Sequence, residues 1–174
     1  MLIETPNLKI RPFQAEDFEA VYKYMSDTQV TYYLPEGTMT KSDVASFIAD
    51  NQKAFAICNK NNGKLMGHIE FYAWFGDHTY EIGWAINPEF HRCGVAYEAA
   101  FAVLKYGFQR LGIHRVIATA QPENKASYRL MEKLGMVREG HFRQCIPKGN
   151  GVWWDEYFYS MLAEDFKRPL VQER

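Results

Sequence analysis

The segment His91-Arg92-Cys93-Gly94-Val95-Ala96 has the residue types of an anion-binding turn. It follows a strand-like run, Tyr80 to Ile86, and opens a long alanine-rich run that reaches Leu111. The first backbone N–H groups of a helix have no partner within the helix, and the helix dipole adds partial positive charge there. Gly94 and Ala96 are small, which lets a phosphate approach the backbone closely. The segment therefore predicts a phosphate or pyrophosphate site formed mainly by backbone N–H groups.

The elements that must position this turn are mostly strands. Apolar and alternating runs predict strands over residues 8–13, 54–58, 65–74, 80–86, 116–120, 137–145 and 152–161. Apolar positions three and four residues apart predict helices from residue 15 and over 41–51, 96–111 and 124–134. The tail from Ala163 is expected to be weakly structured. Because several strands are joined by short turns, we expect an α/β (α+β) fold whose mixed sheet is mostly antiparallel and flanked by helices.

Length and composition restrict the class of protein. The 174 residues are most simply one domain, 1–174, with a core over about 7–165. A net charge of −1 does not suggest a general nucleic-acid binder. Three widely spaced cysteines without a CxxC motif, and histidines without metal spacing, predict free thiols and no metal site. No apolar run is long enough for a membrane span, and the first residues do not resemble a signal peptide, so we expect a cytoplasmic location.

A second motif begins at Asn124 and runs through Ser127 and Leu134-Gly135 to Met136. Together with the turn at 91–96, it resembles the GNAT superfamily of acyl-CoA-dependent N-acyltransferases. The turn is similar to that family's Gln/Arg-x-x-Gly-x-Gly/Ala pyrophosphate turn, with His91 at the first position. The second motif is similar to the Asn-x-x-Ser helix that ends in Leu-Gly-Phe. The Rim-type branch, which includes acetyltransferases of ribosomal-protein N-termini, is resembled by three segments: the opening strand Leu8 to Phe13, Glu139-Gly140, and Asp155 to Leu162.

The resemblance implies acetyl-CoA or a related acyl-CoA as co-substrate, and a sheet that splays at the cofactor site. The pantetheine arm would pair with strand backbone, the turn would hold the pyrophosphate, and Asn124 would bind the arm near the thiol. The residues expected to bind the cofactor are Trp84, Ala85, Ile86, His91, Arg92, Cys93, Gly94, Val95, Ala96, Asn124 and Ser127.

Acetyl transfer needs a neutral amine and a proton for the departing thiolate. Many family members place a tyrosine where this chain has Met131, which has no proton to give. Ser127 lies four residues earlier on the same helical face, so the resemblance assigns it to the thiolate. Three carboxylates compete for the role of base: Glu81 is favoured, followed by Glu70 and then Glu139. Water acting alone stays open as an alternative.

The acceptor is less well determined than the donor. Aromatic residues in or beside predicted loops suit the border of an acceptor cleft, but they suit a core or a dimer interface equally well; they are Tyr32, Tyr33, Trp74, Phe75, Trp153 and Trp154. We expect direct transfer in a ternary complex to a primary amine, either a protein N-terminal α-amine or a small molecule. Homodimers are common in the family. The alternative function is a non-catalytic acyl-CoA-binding or sensor module, which the absent tyrosine favours.

Overall fold

A computed structural model of the chain describes residues 1–34, 37–49 and 52–167. Eight strands and six helices follow one another as β1 (Ile3–Glu4), β2 (Leu8–Arg11), α1 (Phe18–Met25), α2 (Thr28–Thr31), α3 (Lys41–Ala49), β3 (Ala54–Asn59), β4 (Leu65–Phe75), β5 (Thr79–Ile86), α4 (Val95–Tyr106), β6 (Arg115–Ala120), α5 (Lys125–Lys133), β7 (Val137–Gly149), β8 (Val152–Leu162) and α6 (Ala163–Lys167) within the described residues. The last two residues of the helix predicted over 41–51, and residues 168–174 of the predicted domain, lie outside them.

The chain divides into two units. The first comprises Met1–Tyr72 and Ile82–Val103, and the second comprises Ala73–Glu81 and the chain from Leu104 onward. Strand β5 contributes its first residues to the second unit and its later residues to the first.

In the first unit the strand order is β1-β2-β3-β4-β5, and β1 to β4 pair antiparallel. Helices α1 and α3 each contribute their apolar side to one core of buried residues. This core includes Phe13, Val21, Tyr24, Met25, Val44, Ala54 and Ala56. Burial of that face supplies most of the stability of helices this short. Helices α1 and α3 therefore lie against the strands that lead to the predicted cofactor turn.

Strand β4 approaches β5 unusually closely at Gly67. A Cβ atom at this position would lie 2.4 Å from the carbonyl oxygen of Ala85 and 2.9 Å from the Cα of Ile86. The Asn87 N–H donates to the carbonyl of Met66 at 3.0 Å, directly after the end of β5. A glycine is thus required to bring β4 against the residues predicted to bind pantetheine.

In the second unit the strand order is β5-β6-β8-β7. Thr79–Glu81 of β5 pair in parallel with Arg115–Ile117 of β6, whereas β6 with β8 and β8 with β7 are antiparallel. Helix α5 packs on one face of this sheet, where the hydroxyl of Tyr159 donates to Glu132 at 2.8 Å. The register therefore leaves α5 on the face that carries Tyr159.

The mixed, mostly antiparallel sheet flanked by helices is confirmed, and one prediction needs correction. The tail from Ala163 is not weakly structured over its first residues, because the Leu162 N–H donates to the Asp165 carboxylate at 3.0 Å and α6 begins there. Trp74 and Phe75 lie at the end of β4, and Trp153 and Trp154 lie at the start of β8, so both pairs stand beside turns.

Candidate active site

The turn at 91–96 is held rigidly at the end of β5. Asn87 is buried there, and its side-chain oxygen accepts from the Glu89 N–H at 3.1 Å, which caps a short 3₁₀ turn over Pro88–Phe90. The sequence did not predict this extra turn, although Asn-Pro is a usual signal for one. It directs the chain out of β5 and into the segment that begins at His91.

The backbone of the turn has the shape that an anion needs. Arg92 and Gly94 have positive φ values of 61° and 80°. The first residues of the turn are exposed, and a Cβ atom at Gly94 would meet nothing within 4 Å, so open space lies beside the backbone. The Glu98 N–H donates to the Gly94 carbonyl at 3.0 Å, so the N–H groups of Val95 and Ala96 lie ahead of this bond. The residues present fit a bound pyrophosphate.

His91 fixes the turn through its side chain. Its Nε2 lies 2.9 Å from the carbonyl oxygen of Ile86, so this nitrogen carries the hydrogen and donates. The Cys93 thiol donates to the His91 carbonyl, with Sγ 3.4 Å from the oxygen. The imidazole therefore joins the turn to the end of β5, and its contribution to an anion site is the backbone geometry that it enforces.

Helix α5 begins as the second motif predicts. The Asn124 side-chain oxygen accepts from the Ser127 N–H at 3.3 Å, which makes Asn124 the N-cap. This bond uses only the oxygen of the carboxamide, so its N–H groups take no part in the cap. The Ser127 hydroxyl is half-buried and makes no hydrogen bond to the described residues. Met131, one turn later, is buried at 1% exposure.

Glu70 lies in the first unit, beside a strand position without a side chain. Its Oε2 would be 3.3 Å from a Cβ atom at Gly83 of β5. The Nε2 of His68 lies 4.0 Å from Glu70 Oε1. Glu70 therefore projects over β5 close to the residues predicted to bind pantetheine.

His68 is a buried histidine with a hydrogen-bond partner. Its Nδ1 lies 2.7 Å from the Tyr24 hydroxyl, and the ring is packed among Phe13, Phe47 and Tyr24. Burial lowers the pKa of His68 to about 4. The ring is therefore neutral near pH 7, and the Tyr24 hydroxyl donates to it.

Glu81 shares a sheet face in the second unit with a carboxylate that the sequence did not indicate, Glu156. Glu81 is in register with Ile117, and Thr119 with Phe158. Side chains two residues apart on a strand share a face, so Glu81, Thr119 and Glu156 point the same way. The Thr119 hydroxyl donates to the Glu156 carboxylate. Both glutamates are half-buried.

The surroundings of Glu156 favour its protonated form. Burial raises the pKa of Glu156, and the negative charge of Glu81 raises it further, whereas the bond from Thr119 acts in the opposite direction. Glu139, on the same face, is different. Arg115 and Ser160 both donate to it, and they lower the pKa of the Glu139 carboxyl. Glu139 is therefore the weaker base of the two.

Aromatic rings flank the face that carries Glu81 and Glu156. The ring of Phe158 lies 6.0 Å from that of Trp74 and 5.7 Å from that of Phe142. Trp74 and Phe142 are about half exposed, at 52% and 49%. This aromatic wall, formed by Trp74, Phe142 and Phe158, leaves apolar surface beside two carboxylates in the second unit.

Comparison with known proteins identifies the family. The family model of the acetyltransferase (GNAT) domain matches residues 7–137. The chain belongs to the GNAT family. GNAT enzymes transfer an acyl group from acetyl-CoA to an amine, so the protein is an N-acetyltransferase.

Relatives agree on the activity of this GNAT protein. It is 51% identical over 170 residues to the uncharacterized N-acetyltransferase YnaD of Bacillus subtilis, covering 95% of this chain and 99% of the relative. A crystal structure of a GNAT-family acetyltransferase from Bacillus anthracis superposes with a TM-score of 0.91 at 51% identity, covering 94% and 99% of the two chains. The [ribosomal protein uS5]-alanine N-acetyltransferase of Escherichia coli is 28% identical over 89 residues, 51% of this chain and 45% of that protein.

The predicted site residues of this GNAT enzyme fall in both units. Trp84, Ala85, Ile86, Glu70 and the turn at 91–96 belong to the first unit, and Glu81, Asn124 and Ser127 belong to the second. Among the described residues, no three histidine, cysteine or acidic side chains form a group that could hold a metal ion. None of the described helices has the length and apolar character needed to cross a membrane.

Proposed function

We propose that this enzyme transfers an acetyl group from acetyl-CoA directly to a primary amine in a ternary complex. The observation that carries the proposal is the turn from His91 to Ala96, where two residues have positive φ, the space beside Gly94 is open and a helix starts at Val95. A pyrophosphate at this position would accept from the exposed backbone N–H groups.

The rest of the cofactor would follow β5. The backbone of Trp84, Ala85 and Ile86 is our proposed partner for the pantetheine arm. The parallel register between β5 and β6 runs over Thr79–Glu81, before these residues. Asn124 would donate its side-chain N–H groups to the arm, because its oxygen already caps α5.

Ser127 is the proposed donor to the departing thiolate. Its hydroxyl makes no hydrogen bond to the described residues, and Met131, at the usual tyrosine position, is buried and cannot supply a proton. A hydroxyl is a weak acid, so a hydrogen bond to the sulfur is the role that we assign to Ser127.

A carboxylate would take the proton from the acceptor. Glu81 stays our first candidate, because it lies where the parallel pairing with β6 ends and shares a sheet face with the aromatic wall. Glu70 is the second candidate, beside Gly83 in the first unit. Glu139 is disfavoured, because Arg115 and Ser160 lower its pKa and occupy its oxygens.

The acceptor is a primary amine of one of two classes. A protein N-terminal α-amine, as in the Rim-type branch, is supported by the similarity to the uS5-alanine enzyme over half of the chain. A small-molecule amine is supported by the carboxylates and the aromatic wall, which suit a cationic head on an apolar body. A cytoplasmic location is part of the proposal and accords with the free thiols of Cys58, Cys93 and Cys145.

The cofactor assignment is tested with Gly94→Ala and a matched control, Gly112→Ala. Both glycines have positive φ and open space at Cβ, but Gly112 caps the far end of the helical segment that α4 begins. We expect Gly94→Ala to weaken CoA binding about tenfold or more in calorimetry, because strain at 94 displaces the backbone N–H groups. Gly112→Ala should lower stability and leave the affinity unchanged. Equal CoA affinities for the two variants would exclude the turn as the phosphate site.

The activity is tested by thiol release from acetyl-CoA with a panel of alanine-initiated peptides, primary alkylamines and linear polyamines. Turnover with one class identifies the acceptor. Tight CoA binding without turnover on any amine would favour the sensor module instead. The observation that favours this second function is Met131, which is buried at the usual tyrosine position and cannot supply a proton.

A further inference from the structure

We propose that Glu156 completes the proton-accepting site: Glu156 receives the proton of the acceptor's ammonium group, and the charge of Glu81 supports it. This inference rests on the proposed function and refines the role given there to Glu81. It adds a residue on β8 that lies far from both sequence motifs.

The strand registers relate the two carboxylates to one face of the sheet. The registers of β5 with β6 and of β6 with β8 put Glu81, Thr119 and Glu156 on one face. The Thr119 hydroxyl donates to the Glu156 carboxylate. Glu81 lies on the other side of β6, and its negative charge acts on Glu156. Two carboxylates held in this way attract an ammonium group.

Two further charged groups on this face interact with each other. Arg115 on β6 and Glu139 on β7 bind one another, with Nη1 3.1 Å from Oε1, so their charges largely cancel. Phe142 of β7 is in register with Glu156 and carries no charge. Glu81 is thus the charged group whose field acts on Glu156.

The position of Glu156 suits proton transfer. Half-buried beside an anion, it has a higher proton affinity than an exposed glutamate, since burial and the charge of Glu81 raise its pKa. A base of this kind takes a proton from an ammonium group more readily near neutral pH.

The acceptor nitrogen loses two protons during the transfer. One N–H bond of the ammonium breaks and its proton bonds to a Glu156 oxygen, which leaves the nitrogen with a lone pair. The nitrogen forms a C–N bond with the thioester carbonyl carbon, and the C–S bond breaks. The second proton lost by the nitrogen goes to the thiolate, giving the free thiol of CoA. Glu156 then releases its proton to water.

The aromatic wall defines the acceptor further. Phe158 lies two residues after Glu156 on the same face, with Trp74 and Phe142 against it. A primary ammonium at the carboxylates would place its neighbouring carbons against these rings. The acceptor class that fits is a primary amine carried on an apolar chain.

A direct titration tests the electrostatic part without any substrate. In protein labelled with ¹³C at the glutamate carboxyl, the Glu156 signal is assigned by its loss in Glu156→Gln. We expect its midpoint to lie above that of exposed glutamates, to fall in Glu81→Gln, and to rise in Thr119→Val, because the first removes a like charge and the second a donor to the carboxylate. A Glu156 titration midpoint that is unchanged in both variants would overturn the proposal.

The pH profile tests the catalytic part. Over pH 4.5 to 7 both alkylamines and peptide α-amines stay protonated, so the rise of kcat/KM with pH for the best acceptor of the panel reports the base. The midpoint of this rise should follow the Glu156 titration in wild type and in both variants. We expect it to move to lower pH in Glu81→Gln and to higher pH in Thr119→Val. Glu156→Gln should lose roughly a hundredfold in kcat/KM, whereas Glu156→Asp, which keeps a carboxylate, should retain most of the activity.

Control variants distinguish the role of Glu156 from the proposed acetyltransferase activity on which it rests. Glu164→Gln makes the same change at an exposed glutamate of α6 and should leave kcat/KM unaltered. CoA affinity and the thermal midpoint of Glu156→Gln should match wild type. The role of Glu156 would be refuted if substitution of Glu70 or Glu81, and not of Glu156, removed the rise of kcat/KM with pH. It would also be refuted if Glu156→Gln kept wild-type turnover. Either result would leave the acetyltransferase activity itself established. Absence of turnover with every amine would overturn both.

Discussion

Ser127 offers the cleanest separation of cofactor binding from chemistry at a single residue. Its backbone N–H is used by the Asn124 cap, whereas its hydroxyl makes no hydrogen bond to the described residues. Ser127→Ala keeps the cap and removes only the hydroxyl. We expect kcat to fall on the order of tenfold to a hundredfold, because the thiolate loses its hydrogen bond, with CoA affinity and thermal midpoint unchanged.

Asn124→Ala is the matched comparison for Ser127→Ala. It removes the N-cap and should cost about 1 kcal/mol of stability, and it should weaken CoA binding because the carboxamide N–H groups are lost. Calorimetry and steady-state kinetics on the two variants distinguish them. If Ser127→Ala reproduced the losses of stability and affinity seen in Asn124→Ala, Ser127 would be a helix-capping residue and not part of the chemistry.

The site residues differ in how far sequence alone could reveal them. The turn at 91–96 and the Asn124 cap are each local, because a few consecutive residues determine backbone shape and hydrogen bonds. Glu156 carries no such signal. It is a glutamate in a strand, and only the sheet order brings Glu81 to it from the other side of β6. Long-range register is what sequence periodicity cannot supply.

Elements were predicted well where turn chemistry is explicit. The β7–β8 hairpin closes through Asn150 and Gly151, both with positive φ, as a tight two-residue turn requires. Gly112 caps the end of the helical segment at φ 67°. Strand β1 was missed because it has two residues and is paired only through β2. The 163–167 helix was missed because its signal is one capping carboxylate, Asp165.

Gly67 sets the spacing between two elements of the first unit. A methyl group there would meet backbone atoms of Ala85 and Ile86, which cannot move without displacing β5. We expect Gly67→Ala to destabilise the protein by about 1–3 kcal/mol through overpacking. It should also weaken CoA binding, because the displaced residues are those proposed to pair with pantetheine. Urea unfolding and calorimetry measure the two effects.

Gly83→Ala is the control for the same pair of strands. Its new methyl group would meet the tip of the flexible Glu70 side chain at 3.3 Å, not backbone. We therefore expect a smaller loss of stability and little change in CoA affinity. If Gly83→Ala proved as costly as Gly67→Ala, crowding against the backbone would not be the reason for the glycine at 67.

For the molecule as a whole, His68 should dominate the response of stability to mild acid. Its pKa in the folded protein is about 4 because of burial, whereas an unfolded histidine titrates near 6.5. The unfolded chain therefore takes up the proton first, and the free energy of unfolding falls as the pH drops below 6.5. Carboxylates with lowered pKa, such as Glu98 and Glu139, contribute mainly at lower pH.

The expected size of this effect is about 2 kcal/mol lost between pH 7.5 and 5, from the binding of one proton to the unfolded state. Urea unfolding at a series of pH values measures it. His68→Gln removes the titrating group and leaves an amide that can accept from Tyr24, so its stability should vary less over this range. His114→Gln, a change at an exposed histidine, should keep the wild-type dependence. Parallel curves for wild type and His68→Gln would show that folding does not lower the pKa of His68, which would contradict the buried, neutral ring that accepts from Tyr24.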